Sequence, residues 1–201
     1  MRYPSLDMRV ITTDLPGVLI IEPKIFGDSR GCFLESWSRA RYHEVGLPEV
    51  FVQDNISQSS RGVLRGLHFQ EPKAQGKLVT VLDGEVFDVA VDIRVGSPTF
   101  GQVASVTLSG ESKRQIYIPP GFAHGFCVTS ATAIFTYKCT EPYAPEAEGG
   151  IVWNDPDLAI PWPVAEPILS AKDGKYVRLR DLDASRLPSY RKSGAGVESV
   201  R

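Results

Sequence analysis

Cysteine is scarce in this chain of 201 residues, and so are long apolar runs and an excess of charge of either sign. Cys32, Cys127 and Cys139 are widely spaced, with no C-x-x-C pair, which predicts reduced thiols and a cytoplasmic protein. No stretch approaches the ~18 apolar residues of a membrane span, and no secretory signal is visible. A formal net charge of -2 favours neither a nucleic acid nor a membrane surface as partner.

Glycine and proline are plentiful by contrast, with 18 and 15 residues that separate short apolar runs. In KLVTVLDGEVFDVAVDIRV (77–95), two β-rich runs flank Asp83-Gly84, which predicts a tight hairpin turn. Four further short runs of the same kind follow. One stretch, 36–46, is predicted to be helical, with a serine able to cap its start. Short antiparallel strands at regular intervals predict an all-β sandwich or barrel with few short helices.

The texture changes from about residue 141, where the chain becomes proline-rich and irregular. The closing stretch, ASRLPSYRKSGAGVESVR, has little apolar content and is expected to be a tail or a surface-docked extension. The sequence therefore predicts one domain over 1–183 and a C-terminal extension over 184–201.

Metal binding is one interpretation of the few histidines. The P-x-G-x-x-H spacing that ends at His124 resembles the second motif of the cupin superfamily, whose double-stranded β-helix often holds a metal. The first cupin motif carries two histidines one residue apart, whereas this chain has His68-Phe69-Gln70. His43 lies in the predicted helix and is expected to be solvated or to pack. Because a metal site needs about three or four ligands, we predict none.

A structural role is a second interpretation, and for His124 it stays open. For His68 the neighbourhood opposes it. Four cations lie within nine residues of His68: Arg61, Arg65, Lys73 and Lys77. Burying several cations without anionic partners is expensive, so such a cluster predicts an anionic ligand.

Acid–base catalysis is the third interpretation. Inward polar side chains of neighbouring strands converge in the mouth of a barrel. His68 is suited to act as a base near neutral pH, and Tyr137, which alternates with Phe135 and Cys139, as a proton donor. Such a pair in a cationic pocket suits proton abstraction beside a carbonyl of a phosphorylated substrate.

Five long motifs resemble the dTDP-4-dehydrorhamnose 3,5-epimerase family in uninterrupted order over roughly residues 10 to 180. They are GDSRGCFLESW (27–37), FVQDNISQSSRGVLRGLHFQEPKAQGKLVTVLDGEVFDVAVDIRVGSPTFG (51–101), KRQIYIPPGFAHGFCV (113–128), FTYKCTEPYAPEAEGGIVWNDPDLAIPWP (135–163) and PILSAKD (167–173). The resemblance implies a cupin-type jelly-roll sandwich, no metal or other cofactor, a homodimer and a dTDP-sugar substrate.

The same resemblance implies a role for each matching residue. His68 would remove the proton beside the C4 ketone of dTDP-4-keto-6-deoxyglucose, and Asp173 would orient its ring. Tyr137 would protonate the opposite face of the sugar, and Lys77 would stabilise the enolate oxygen. The remaining matches are substrate contacts, some of them across the dimer interface: Arg30, Glu35, Gln53, Asn55, Arg65, His124, Glu148 and Lys172.

Two departures accompany the resemblance. The family commonly has tyrosine where Phe69 stands, which predicts that one pocket hydroxyl is absent, and the stretch beyond about residue 180 has no family counterpart. Relatives in antibiotic-sugar pathways invert only one carbon with the same catalytic residues, so inversion at C3, at C5 or at both stays open. The alternatives are a single-position epimerase, a ketoisomerase on this fold, and a non-catalytic cupin that binds a nucleotide sugar.

Overall fold

A computed structural model describes residues 8–48 and 50–190. The described chain contains these strands: β1 Arg9–Thr12, β2 Leu19–Glu22, β3 Ile25–Asp28, β4 Gly31–Leu34, β5 Gln53–Ser60, β6 Leu64–Gln70, β7 Lys77–Asp83, β8 Glu85–Asp92, β9 Val103–Ser109, β10 Gln115–Ile118, β11 Phe122–Val128, β12 Thr132–Cys139 and β13 Glu148–Gly150. Helix α1 spans Arg39–Glu44, and 3₁₀ turns span Pro145–Ala147, Asp173–Lys175, Leu179–Asp181 and Ala184–Arg186. None of the described helices is long and apolar enough to cross a bilayer.

Two antiparallel sheets form the body of the molecule. The six-stranded sheet has the order β1-β2-β10-β7-β12-β5, and the five-stranded sheet has the order β13-β6-β11-β8-β9. Strands β3 and β4 pair only with each other among the described strands and form a separate hairpin. This mostly antiparallel, two-sheet arrangement confirms the predicted all-β sandwich of cupin type.

The main core lies between the sheets, where Val79 and Phe135 of one sheet pack in one cluster with Ala90 and Phe126 of the other. The alternation in β8 places Val86 and Ala90 in this core, while Phe87, Val89 and Val91 face outward. The inner faces of the two sheets therefore share one apolar core.

The outer face of each sheet carries its own apolar cluster. Helix α1 contributes Tyr42 to the cluster on the six-stranded sheet. The C-terminal stretch contributes Ile151, Leu158, Leu179 and Leu187 to the cluster on the five-stranded sheet. Because the irregular stretch after residue 141 supplies these buried side chains, it is an integral layer of the domain.

The predicted hairpin at Asp83-Gly84 is wrong, although the positive φ of Gly84 (76°) is present. β7 pairs with β10 and β12, whereas β8 pairs with β9 and β11, so the chain crosses there from one sheet to the other. A Cβ at Gly84 would lie 2.0 Å from the carbonyl oxygen of Thr132. The glycine is needed for this close approach, which a hairpin interpretation does not include.

The predicted helix is confirmed, although it is shorter than 36–46. Ser38 is its N-cap residue, but the serine side chain makes no capping hydrogen bond. Part of the predicted extension also packs on the domain. Ser189 forms an isolated β-bridge with Val95, and the guanidinium of Arg94 lies over the ring of Tyr190. Residues 191–201 of the extension lie outside the described residues, and the boundary at 183 stays a prediction.

Candidate active site

A cavity of about 270 Å³ lies between the two sheets. Six of the twelve predicted site residues line it: Asn55, Arg65, His68, Lys77, His124 and Tyr137. Strands β6 and β11 of the five-stranded sheet supply the arginine and the two histidines, and strands of the six-stranded sheet supply the other three. The predicted base and the predicted acid therefore reach the cavity from opposite walls.

A bulge in β6 allows Arg65 and His68 to face the same cavity, although residues three apart on a regular strand point to opposite faces. His68 pairs with His124 and Arg65 pairs with Phe126, so β6 has one residue more than β11 over this interval. Gly66, between them, has φ 115°, and a Cβ there would lie 2.6 Å from the Cα of Gly125. The RGLH motif therefore needs its glycine for backbone conformation and for close packing.

The His68 ring bonds to Asp173, with Nε2 and Oδ1 2.5 Å apart. Burial alone would raise the pKa of Asp173, but the hydrogen bond and charge of His68, together with bonds from Ser170 and the Gly66 backbone, outweigh it, and the pKa lies below its ordinary value. An ionised carboxylate only accepts hydrogen bonds, so Nε2 donates and Nδ1 of the neutral ring is left unprotonated. The Asp173 carboxylate, which is 2% exposed, therefore fixes the tautomer that can act as a base.

His124 is paired with Asp88, a residue that the sequence analysis did not select. Its Nε2 lies 3.0 and 3.1 Å from the two carboxylate oxygens, and Asp88 is fully buried. The period-two pattern groups Asp88 with Ala90 on one face of β8, but the pairing with His124 depends on the neighbouring strand β11. The structure thus places His124 at the cavity as half of a second histidine–carboxylate pair.

Burial changes the acidity of the two groups on the opposite wall. It raises the pKa of Tyr137, an effect that Cys139 adds to and Arg65 opposes, so the phenol keeps its proton at neutral pH. Burial lowers the pKa of Lys77, against the attraction of Cys139 and Asp88. A proton donor and a partly desolvated amine therefore face the histidine across the cavity.

Glu148 and Lys172 form an ion pair near these groups, with Lys172 Nζ 2.6 and 2.7 Å from the two carboxylate oxygens. The Tyr143 hydroxyl donates a third bond to Glu148, at 2.9 Å. Gln53 accepts a bond from the Tyr143 backbone N–H and donates one to Asn55 in the cavity wall. Gln53 and Glu148 thus belong to one hydrogen-bonded border around the site.

Arg30 and Glu35 do not line the cavity. Arg30 lies in the turn of the β3–β4 hairpin, 88% exposed, and pairs with Asp28 at the end of β3. Glu35 pairs with Arg41 of α1, whose Nε lies 2.6 Å from its carboxylate. Within one chain, Arg30 and Glu35 therefore lie apart from the predicted site residues that line the cavity.

Comparison with known proteins decides the family. The family model for dTDP-4-dehydrorhamnose 3,5-epimerase matches residues 12–181. The Shigella flexneri enzyme of that name is 56% identical over 88% of this chain and 98% of its own. The chain belongs to the dTDP-4-dehydrorhamnose 3,5-epimerase family. The resemblance inferred from the five motifs is thereby confirmed, and the protein is an isomerase of this family.

Two further members of the epimerase family are informative. A crystal structure of a Legionella pneumophila 3,5-epimerase in complex with dTDP-4-keto-L-rhamnose has a TM-score of 0.91 and 57% identity, over 92% of this chain and all of that chain. A Streptomyces niveus dTDP-4-dehydrorhamnose 3-epimerase is 42% identical over 91% of this chain and 90% of its own. The family therefore includes relatives named for one inversion as well as for two.

The expectation for Phe69, where the epimerase family commonly has tyrosine, is wrong. Phe69 is 8% exposed and packs in the outer cluster of the five-stranded sheet, against Gly149. It neighbours His68 on the strand and therefore points to the other face. No hydroxyl is lost from the cavity, because this side chain does not reach it.

Metal ligands are not grouped in this epimerase: across residues 8–48 and 50–190, no cluster of three or more His, Cys, Asp or Glu side chains could hold an ion. Gln70 occupies the position of the second histidine of the cupin motif. Its carboxamide nitrogen and oxygen are both bonded to the backbone. The absence of a metal requirement stays a prediction.

Tyr176 is a second residue that sequence reasoning missed, and nothing in the sequence marks it. Its ring meets the His68 ring edge-on, with centroids 5.9 Å apart at 72°. A Cβ at Gly150 would lie 2.2 Å from this ring, so the glycine leaves room for it. Tyr176 therefore forms an aromatic wall beside the His68–Asp173 pair.

Proposed function

We propose that the chain epimerises dTDP-4-keto-6-deoxyglucose, inverting C3 and C5 through enolates formed beside the C4 ketone. One observation carries the proposal: His68, held by Asp173, faces Tyr137 across the cavity from the opposite sheet. Inversion needs one proton to leave a face of the carbon and another to arrive at the opposite face. Two proton-transfer groups on opposite walls meet that need.

The proposed reaction proceeds in two steps at each carbon. His68 Nδ1 takes the proton from the carbon beside the ketone, and the electron pair moves into the enolate, whose oxygen bonds to Lys77. Tyr137 then gives its hydroxyl proton to the opposite face as the ketone re-forms. Asp173 stabilises the imidazolium in the meantime, and both groups return to their starting states by exchange with water.

The substrate contacts are also proposals. Arg65 and His124, which line the cavity beside His68, are suited to the sugar and its diphosphate because they add positive and hydrogen-bonding groups there. Glu148 and Lys172 lie at the border, and Gln53 and Asn55 extend it towards the nucleotide. The Legionella pneumophila relative was crystallised with a dTDP-sugar, which supports this assignment.

A homodimer is proposed because part of the predicted site lies outside this chain's own cavity. The β3–β4 hairpin that carries Arg30 exposes Phe26 by 40% and Phe33 by 68%, and Ile56 on edge strand β5 is 72% exposed. Exposed apolar groups of this kind favour a protein contact. Arg30 and Glu35 would then serve the nucleotide of the partner subunit. A cytoplasmic location is proposed on the three free thiols.

Incubation with the keto sugar in D₂O, followed by proton NMR, tests the proposal. The expected product carries deuterium at C3 and C5 with both centres inverted. A single inverted and deuterated centre would favour the 3- or 5-epimerase, and a ketone at C3 would favour the ketoisomerase. If dTDP binds but no carbon exchanges its hydrogen, the result would favour a non-catalytic cupin that binds a nucleotide sugar. The higher identity to relatives named for both inversions, 56% and 57% against 42%, supports the double inversion.

A further inference from the structure

Gln70 lies two residues beyond His68 on β6, and its side chain is 5% exposed. Its Nε2 donates to the carbonyl oxygens of Lys73, at 2.8 Å, and Pro142, at 3.1 Å. Its Oε1 accepts from the backbone N–H of Ala144, at 2.9 Å. Both N–H donors and the oxygen of this buried amide are therefore bonded to backbone groups.

The bonded backbone groups belong to two segments that each lead directly to a site residue. Residues 71–76 connect β6 to Lys77, the first residue of β7. Residues 140–147 connect β12 to Glu148 and include Tyr143, whose hydroxyl bonds to Glu148. Through one side chain, β6 is thus tied to the segments on either side of the site.

We propose that Gln70 is a positioning residue that fixes the two segments leading to Lys77 and Glu148, in addition to the backbone pairing of β13 with β6. This inference rests on the proposed function for the identity of the ligand. Without the amide, the buried N–H of Ala144 would lose its partner and the carbonyls of Lys73 and Pro142 would lose their donor, which favours a movement of the segments towards water. Substrate binding then weakens, whereas the hydrogen bond between His68 and Asp173, which Gln70 does not contact, stays in place.

Two substitutions of similar size remove the amide in different ways. Gln70→Glu replaces the two N–H donors by a carboxylate oxygen facing two carbonyls, and Gln70→Met removes every polar atom. The matched control is Gln75→Glu, because Gln75 Nε2 also bonds between the two segments, to the Glu141 carbonyl at 2.8 Å, but in an exposed setting. Exposed hydrogen bonds are replaced by water at little cost.

The measurements are the Kd of dTDP by calorimetry, KM and kcat with the keto sugar, and amide hydrogen exchange of the free protein by mass spectrometry. For both Gln70 variants we expect Kd and KM to rise at least tenfold, kcat to change less than threefold, and exchange to accelerate in peptides covering 140–148. Peptides covering β8 should exchange as in the wild type. The control should stay within twofold in every measurement.

Unchanged dTDP binding and unchanged exchange at 140–148 would overturn the proposal. So would a loss of kcat at constant KM, which would place Gln70 in the chemistry, or loss of protection across β8 in both variants, which would make it a general core residue. A wild type that binds no dTDP would contradict the proposed function instead. The exchange comparison on the free protein would still decide whether Gln70 holds the segment.

Discussion

Replacing Asp173 with asparagine isolates the support that the carboxylate gives to His68. The substitution keeps the shape of the side chain and removes its charge, while His68 and the cavity lining stay in place. Asp173 is 2% exposed and does not line the cavity, so KM should change little. The neutral amide also offers an N–H to Nε2, which would favour the wrong tautomer of the ring.

The expected loss follows from the single hydrogen bond of 2.5 Å between Oδ1 and Nε2. A hydrogen bond to a charged group contributes about 1.5–3 kcal/mol, and about 1.4 kcal/mol corresponds to a tenfold change in rate. We therefore expect kcat to fall about ten- to a hundredfold in Asp173→Asn. In His68→Asn the base itself is lost, and the fall should be roughly 10²–10⁴-fold or more.

The assay is the initial rate of deuterium incorporation into saturating keto sugar, followed by proton NMR. Calorimetric binding of dTDP serves as the control for folding, because both variants should retain it. Wild-type turnover in Asp173→Asn would show that the carboxylate has no part in catalysis. A loss as complete as that of His68→Asn would show that Asp173 does more than orient and stabilise the ring.

Two further predictions concern metal and acid stability. Activity should survive exhaustive chelation, because the Gln70 amide is committed to the backbone, and a loss with EDTA that one particular metal restores would contradict the acid–base account. Burial would raise the pKa of Asp92, but hydrogen bonds from Arg94, Ser97 and Thr99 together outweigh it and lower the pKa from 3.8 to about 2. Because the pKa of Asp92 is lower in the folded than in the unfolded protein, its carboxylate stabilises the folded state at pH values above the unfolded pKa of 3.8. Asp92→Asn should therefore cost about 2 kcal/mol of unfolding free energy at pH 7. In urea titrations the difference should vanish as the pH falls from 3.8 to about 2, and the exposed Asp157→Asn should cost less than about 0.5 kcal/mol at either pH.

The sequence predicted the chemistry of the site better than its geometry. Period-two alternation placed Tyr137 beside Phe135 on one strand face, and both line the cavity. The cluster of cations around His68 suggested an anionic ligand, and two of its members, Arg65 and Lys77, reach the same cavity. The inference for Tyr137 succeeded because side-chain direction on a regular strand depends only on local sequence.

Features that depend on long-range contacts were not predictable in this way. The turn at Gly84 has the expected positive φ, but its flanking strands pair with distant parts of the chain, as Lys77 of β7 does with Cys139 of β12. The bulge that turns Arg65 towards His68 exists only against β11. Asp88 acquires its role when β8 and β11 bring it to His124. In each case a tertiary neighbour, absent from the local pattern, decided the outcome.

Deuterium labelling of Tyr137→Phe tests the central claim most directly. The phenylalanine keeps the ring and its packing against Phe135 and deletes the hydroxyl proton that the account assigns to the second step. His68 should still form the enolate, which then collapses by regaining a proton from the same face. In D₂O we expect substrate that gains deuterium with little inversion at one or both carbons beside the ketone, where the wild type gives inverted, deuterated sugar. Inversion of every exchanging carbon at the wild-type rate would show that Tyr137 is not the acid.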